Sequence, residues 1–358
     1  MQPLKTGIAY HGNRFLTHAY EDLRDIARAE FDIVVHMFSH NDWERHATVM
    51  RDMFKMTEDF GMEVWVDNWG LGGAPGDKSH FLAYHPEAHT YYGDGIMHPY
   101  QVCLNAPSYR QFVKDWLHKV VEIGGKTIFW DEPFIPQDKI EGSEDYYSCC
   151  TCPTCRKLFE ERFGKKMPMV MDKDVAKFRN DTIIEFHEFI SEYAHSLGLK
   201  SVVCFMPYQL AGLKQQTEQE KMLAMDIDSI CSMKHIDNVG TDPYVNGRGI
   251  EYTYDYVYRS TKTCVDIANA HGKDHNIWIQ AYRHSVGTEE EIVASIEAAY
   301  DGGARNIFAW SYMCGDPNSY RAEAPDRAWA KTLAGFRRIR EMDRDRMLED
   351  LRRMQREK

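Results

Sequence analysis

The feature that most restricts how this chain can fold is an alternation repeated eight times along it. Each repeat is a short apolar run, a polar loop and a stretch of helical period. The expected strands are Thr6–Tyr10, Asp32–Phe38, Glu63–Asn68, Thr127–Asp131, Ser201–Met206, Asn238–Asp242, Asn276–Gln280 and Asn306–Tyr312. They are short and rich in β-branched and aromatic residues, the composition of parallel strands buried on both faces. Between them fall helical patterns near His18–Glu30, Asp42–Phe60, Ser108–Ile123, Asp174–Leu197, Thr217–Met225, Tyr252–Ala270, Glu289–Ala299 and Ala328–Arg344. Glycines such as Gly61, Gly198 and Gly272, which tolerate a left-handed backbone, mark helix stops. Eight units in succession predict one (β/α)8 TIM barrel over residues 1–344. An open doubly wound sheet usually ends at five or six strands, and no glycine-rich phosphate loop follows the first one here.

Two long excursions, 70–107 and 133–173, follow the third and fourth strands. In a barrel they rise from the face where active sites lie. Residues 345–358 are expected to form a charged helical extension, either solvated or in contact with a second copy in a homo-oligomer.

The net charge of −12 removes the clustered cations that nucleic-acid binding needs, so a nucleic-acid partner is not expected. No run approaches the roughly 18 apolar residues of a membrane span, and the first residues lack the apolar core of a signal peptide. The expectation is a soluble, cytoplasmic protein with no membrane partner. Nine cysteines, five of them scattered singly, argue against a disulfide scaffold in a chain of 358 residues.

Side chains at barrel strand ends share one mouth. Here those ends carry Tyr10, His11, His40, Asp67, Trp69, Asp131, Glu132, Asp242, Tyr244, Gln280, Tyr282, His284, Trp310 and Tyr312. Such a density of carboxylates, imidazoles and flat rings suits a carbohydrate substrate. The sharpest feature is Trp130-Asp131-Glu132-Pro133, an adjacent acid pair. Glycosidic cleavage needs one carboxylic acid to protonate the leaving oxygen and one carboxylate to stabilise or attack the anomeric centre. Glu132 is expected as the general acid, with Asp131 or Asp242 as base or nucleophile, and Asp67 can also face it. Trp69, Trp310 and Tyr312 are candidate platforms for sugar faces. His11, His40 and His284 can bind hydroxyls or a metal. Gln280, at the seventh strand, can hold a hydroxyl or a water but cannot serve as a carboxylate nucleophile.

The run Cys149-Cys150-Thr151-Cys152-Pro153-Thr154-Cys155 is a metal-ligand pattern, because Cys-x-x-Cys lets two thiolates reach one tetrahedral ion. Cys150, Cys152 and Cys155 leave one position, and Cys103 at the end of the other excursion is the expected fourth ligand of a structural zinc. Reduced thiols or a redox pair are the alternative.

From Cys103, within Cys-x-Asn-x-Pro-x-Tyr-Arg, to the Phe163-Gly164 helix end, the chain resembles the zinc-binding bacterial β-galactosidases of glycoside hydrolase family 42. That resemblance implies a structural zinc on the four cysteines and an acid/base role for Glu132. The chain departs from it in two places: Asp131-Glu132 stands where the family has Asn-Glu, and Gln280 stands where it has a nucleophilic glutamate. The resemblance thus implies a divergent glycosidase barrel rather than a β-galactosidase. Two other functions fit the same residues. One is a metal-dependent sugar isomerase or aldolase with Glu132, Asp242 and His11 or His284 around a divalent ion. The other is a catalytically silent carbohydrate-binding barrel, which Gln280 favours.

Overall fold

Every expected strand pairs in parallel with its neighbours, and the set closes on itself. The computed structural model describes residues 3–72, 79–131, 133–207, 225–316 and 319–356. Its strands are β1 (Lys5–Tyr10), β2 (Ile33–Met37), β3 (Glu63–Asp67), β4 (His89–Tyr91), β5 (Met97–Val102), β6 (Thr127–Trp130), β7 (Lys200–Phe205), β8 (Asn238–Thr241), β9 (Asp274–Gln280) and β10 (Asn306–Trp310). The barrel runs β1-β2-β3-β6-β7-β8-β9-β10 and back to β1, while β4 and β5 form a separate antiparallel hairpin. The helices are α1 (Leu16–Arg28), α2 (His40–Asp59), α3 (Phe81–Tyr84), α4 (Pro107–Glu122), α5 (Pro153–Phe163), α6 (Lys173–Ser196), α7 (Ile227–Cys231), α8 (Ile250–Ala270), α9 (Glu290–Asp301) and α10 (Pro325–Arg356). This is a (β/α)8 TIM barrel.

Alternation along each strand sorts the side chains into two cores. One set, including Ile8, Val34, Val66, Ile128, Val203, Val239 and Ile277, points outward and is buried under the helices. The other, including Ala9, Val35, Trp65, Phe129, Cys204, Trp278, Phe308 and Trp310, fills the barrel. Glycines make room for the largest inward rings. A Cβ at Gly7 would lie 2.2 Å from the Phe308 ring, and one at Gly240 would lie 2.3 Å from the Asn276 amide. Asn276 in turn accepts the Trp278 indole N–H at 2.9 Å and donates to Asn238 at 2.6 Å, so the polar groups inside the barrel satisfy one another.

Several elements differ from expectation. The 70–107 excursion builds the β4–β5 hairpin, whose polar, irregular alternation gives a weak strand signal. The last barrel strand ends at Trp310, and Tyr312 instead begins a 3-10 turn (Tyr312–Gly315). The expected helix near Thr217–Met225 lies outside the described residues, apart from Met225. The expected charged extension is helical and forms the end of α10. No proline or glycine interrupts α10 after Gly335, and the Asp343–Arg346 and Asp350–Arg353 pairs one turn apart support its continuation to Arg356. Met347, Leu348, Leu351 and Met354 are exposed along that last part. Among the described residues no helix is long and apolar enough to cross a membrane.

Candidate active site

The C-terminal ends of the barrel strands set the geometry of the mouth. Residues two apart share a face, so Asp67 follows Trp65 inward, Asp131 follows Phe129, Asp242 follows Gly240 and Gln280 follows Trp278. His11, Trp69, Tyr244 and Tyr282 continue the same alternation past the strand ends. Ring contacts place them. His11 meets Trp69 edge-on at 5.2 Å and Trp310 at 4.9 Å, and the two indoles lie 5.1 Å apart. Across the barrel, Tyr244 and Tyr282 form a T-shaped pair at 5.5 Å. The Tyr244 phenol is driven well above its ordinary range by burial first, then by Asp242, with smaller effects of Tyr282, Cys204 and Asp131. Asp131 and Asp242 lie on the same inward alternation as this tyrosine pair.

Asp67 is fully buried, and neither of its carboxylate oxygens has a hydrogen-bond partner among the described residues. Burial pushes its pKa well above the carboxylate range, and the nearby Trp69 amide opposes this only weakly, without completing a hydrogen bond. His11 is lowered to about 4, by burial and then by the Arg14 guanidinium, so it is a neutral imidazole at neutral pH. Its Nε2 also lacks a partner among the described residues. An acid whose burial favours its protonated form and a neutral imidazole thus stand beside two indoles, a floor that offers hydrogen bonds.

The supports of this mouth come from residues to which sequence reasoning assigned no role. Asn68, on the opposite parity from Asp67, accepts the Asp131 backbone N–H on its side-chain oxygen at 2.8 Å. Arg14 grips the Asp42 carboxylate through two nitrogens at 2.7 and 3.0 Å, and Asp42 belongs to the capping box that Ser39 makes at the start of α2. The buried Arg179 on α6 donates to the Ile135, Pro136 and Cys149 carbonyls, fastening the 133–173 excursion to the helix layer. Gln101 of β5 donates to the Phe134 carbonyl at 3.2 Å, which joins the two excursions.

Four predicted site residues stand elsewhere. Tyr10 faces outward, where its hydroxyl donates to Asp22 of α1 at 2.7 Å and its ring meets Tyr312 at 5.9 Å. Tyr312 also packs against Trp329 of α10, so neither tyrosine joins the inward group. His284 is buried, with Nε2 3.2 Å from the Gln280 carbonyl oxygen and Nδ1 3.1 Å from Thr288 Oγ, and it holds the end of β9 in place. His40 begins α2, outside the barrel, and stacks on His80. Gln280 donates to the Tyr282 carbonyl at 3.0 Å. Glu132 lies outside the described residues, between Asp131 and Pro133, which are both buried.

The cysteine motif assembles. The sulfurs of Cys103, Cys150, Cys152 and Cys155 lie within 4.8 Å of one another, all buried. Cys103 is 3.4 Å from Cys155 and 3.5 Å from Cys152, close to the edge of about 3.8 Å that a tetrahedron with metal–sulfur bonds of about 2.3 Å requires. The Cys152 amide donates to the Cys150 sulfur, and the Cys155 amide and the Asn105 side chain also donate to sulfurs of the cluster. Hydrogen bonds from Cys103, Cys150 and Cys155 hold the Cys152 thiol far below its usual range. Cys149 stays outside the cluster, and all nine cysteines are free thiols.

No family model matches the chain, and no curated protein matches it in sequence. Solved structures share its fold. The catalytic domain of β-amylase from Paenibacillus polymyxa superposes with a TM-score of 0.65 at 9% identity, over 93% of this chain and 97% of that one. An endo-1,4-β-D-mannanase from Thermotoga petrophila RKU-1 gives 0.56 at 10%, over 94% and 99%. A D-psicose 3-epimerase from Clostridium cellulolyticum H10 gives 0.50 at 12%, over 94% and 99%. At such identities the likeness establishes the barrel; function has to be argued from the site.

Proposed function

We propose that this protein is a glycoside hydrolase with Glu132 as general acid. The observation that carries the reading is the inward group itself: Asp67, Asp131 and Asp242 enter one barrel mouth beside Trp69, Trp310, Tyr244 and Tyr282. Carboxylates next to flat apolar rings match a substrate with hydroxylated edges and C–H faces. Glu132 donates its proton to the leaving oxygen as the bond to the anomeric carbon breaks. Asp242, beside the Tyr244–Tyr282 pair, serves as the second carboxylate, activating a water or attacking the anomeric carbon. Asp131, its backbone fixed by Asn68, orients the sugar. The β-amylase and mannanase likeness accords with this chemistry at the level of fold.

The four sulfurs fit a zinc ion, and Cys103, Cys150, Cys152 and Cys155 would hold it without an open position, so its contribution is structural. It would tie the hairpin excursion to the loop that follows Glu132. A reducing, cytoplasmic setting would keep the other five buried cysteines, Cys149, Cys204, Cys231, Cys264 and Cys314, as thiols.

The test is a comparison of Glu132→Gln, Asp131→Asn and Asp242→Asn on one aryl glycoside with a good leaving group and one alkyl glycoside, once a panel has supplied a substrate. Loss of the general acid is expected to cost on the order of 10²–10⁴ in kcat on the alkyl substrate and much less on the aryl one. Near wild-type turnover of the alkyl glycoside by folded Glu132→Gln overturns the assignment. Binding without turnover across the panel favours the silent carbohydrate-binding barrel.

A further inference from the structure

The last turns of α10 carry an apolar stripe left open to solvent. Asp343 is the last buried residue of the helix, and beyond it α10 continues to Arg356 clear of the barrel. Met347, Leu348, Leu351 and Met354 stand there at the i, i+1, i+4, i+7 spacing of one helix face, with exposures from 44% to 53%. The other residues of this segment are charged, apart from Gln355. A stripe of this kind, rimmed by charge and unburied by its own chain, is the mark of an interaction face.

The charges indicate what covers it. Glu349-Asp350 precede Leu351 and Arg352-Arg353 follow it. At about 100° per residue, Asp350 and Arg353 flank one side of the stripe, and Glu349 and Arg352 the other. A second copy docked antiparallel, about a two-fold axis at Leu351, presents each flank to the same flank. Asp350 then meets Arg353 of the second copy, and Glu349 meets Arg352 of the second copy. A parallel copy would set Asp350 beside Glu349 and Arg353 beside Arg352, like against like. The ion pairs made within this stretch are Asp343–Arg346 and Asp350–Arg353, which leaves Glu349 and Arg352 without an ion-pair partner among the described residues. The register also avoids the barrel: with Leu351 on Leu351, Arg356 of the second copy lies opposite Arg346, short of the buried Asp343.

We propose that the end of α10 is a homodimer seam on which a second copy of this chain docks antiparallel, Leu351 on Leu351 and Met347 against Met354. The carboxylates of Asp345, Glu349 and Asp350 around the stripe disfavour an anionic membrane surface as its occupant. Four apolar side chains per copy make a small seam, so association is expected in the range of about 1–100 μM. The seam is independent of the glycosidase reading and shares no residue with the barrel mouth or the cysteine cluster.

The experiment is sedimentation velocity of the purified full chain from about 1 to about 200 μM, a range that spans the expected dissociation constant. The variants are Leu351→Glu, the double reversal Glu349→Arg with Asp350→Arg, and the quadruple reversal that adds Arg352→Glu with Arg353→Glu. None of these side chains is buried, so the variants should fold as the wild type does, which thermal unfolding of dilute protein checks. Wild type should pass from monomer to dimer across the range. Leu351→Glu should weaken the dimer by on the order of 100-fold, because it buries an unpaired charge on the axis. The double reversal should weaken it by on the order of tenfold, and the quadruple reversal, which restores opposite charges across an antiparallel seam, should recover it. A wild type that stays monomeric at about 200 μM overturns the proposal. A dimer that Leu351→Glu leaves intact also overturns it, as does a double reversal without loss or a quadruple reversal without recovery. So does monomeric protein that instead pellets with phosphatidylserine vesicles through this helix end.

Discussion

Asn68 holds Asp131 by the backbone: its side-chain oxygen takes the Asp131 N–H at 2.8 Å, bridging the ends of β3 and β6 where the barrel opens. Both residues are buried, so water cannot replace the bond. Asn68→Ala should leave that amide unmet and cost about 1–3 kcal/mol of stability, read from urea denaturation. Turnover should fall as well, because Asp131 and the following Glu132 lose their anchor. A variant as stable and active as wild type would mean that the bond positions nothing.

Metal content tests the cysteine cluster. Freshly purified protein should carry about one zinc per chain, with Zn–S distances near 2.3 Å by X-ray absorption. Cys150→Ser or prolonged chelation should lower the melting temperature, and activity should decline in step with folding rather than ahead of it. Activity lost while the melting temperature holds would point to a catalytic ion.

The pH dependence of stability tests Asp67. Burial raises its pKa in the folded chain above the ordinary carboxylate value it has when unfolded. Folding therefore favours the protonated form, and this contribution is complete below the unfolded pKa and lost as pH rises through the folded one. Asp67→Asn, which removes the cost of ionising a buried acid, should be more stable than wild type at about pH 7. The gap should close toward about pH 4. Urea unfolding of both proteins at several pH values measures it, and a variant less stable throughout the range would mean that Asp67 is ionised and paired.

Trp69 tests the carbohydrate reading at its apolar side. Its ring is half-buried against His11 and Trp310, with one part facing the mouth. Trp69→Ala should raise KM or Kd for a sugar on the order of tenfold, about 1.4 kcal/mol, with a smaller change in kcat. A change confined to kcat would remove the ring from substrate binding.

The barrel was legible because each strand is short, apolar on both faces and followed by a helical period, and no long-range contact was needed to see that. Position at the strand ends made much of the mouth legible too, and the structure turns His11, Asp67, Trp69, Asp131, Asp242, Gln280 and Trp310 inward. Tyr10 and Tyr312 are not among them, since alternation points Tyr10 outward and the chain turns after Trp310. His284 and His40 are polar residues near strand ends whose partners, Gln280 and His80, are fixed only by tertiary packing. The supports Asn68, Arg14, Gln101 and Arg179 left no periodic signal, because each acts through hydrogen bonds to a distant backbone or carboxylate.

The clustering of indoles inside the barrel also gives the molecule an optical signature. Of eight tryptophans, Trp65, Trp69, Trp278 and Trp310 lie within the barrel or at its mouth, with Trp310 5.1 Å from Trp69 and 5.5 Å from Trp278. Chromophores that close share their excited states, so the near-ultraviolet dichroism and fluorescence of this chain are weighted toward the place where a ligand would land. Occupancy can be followed without a label.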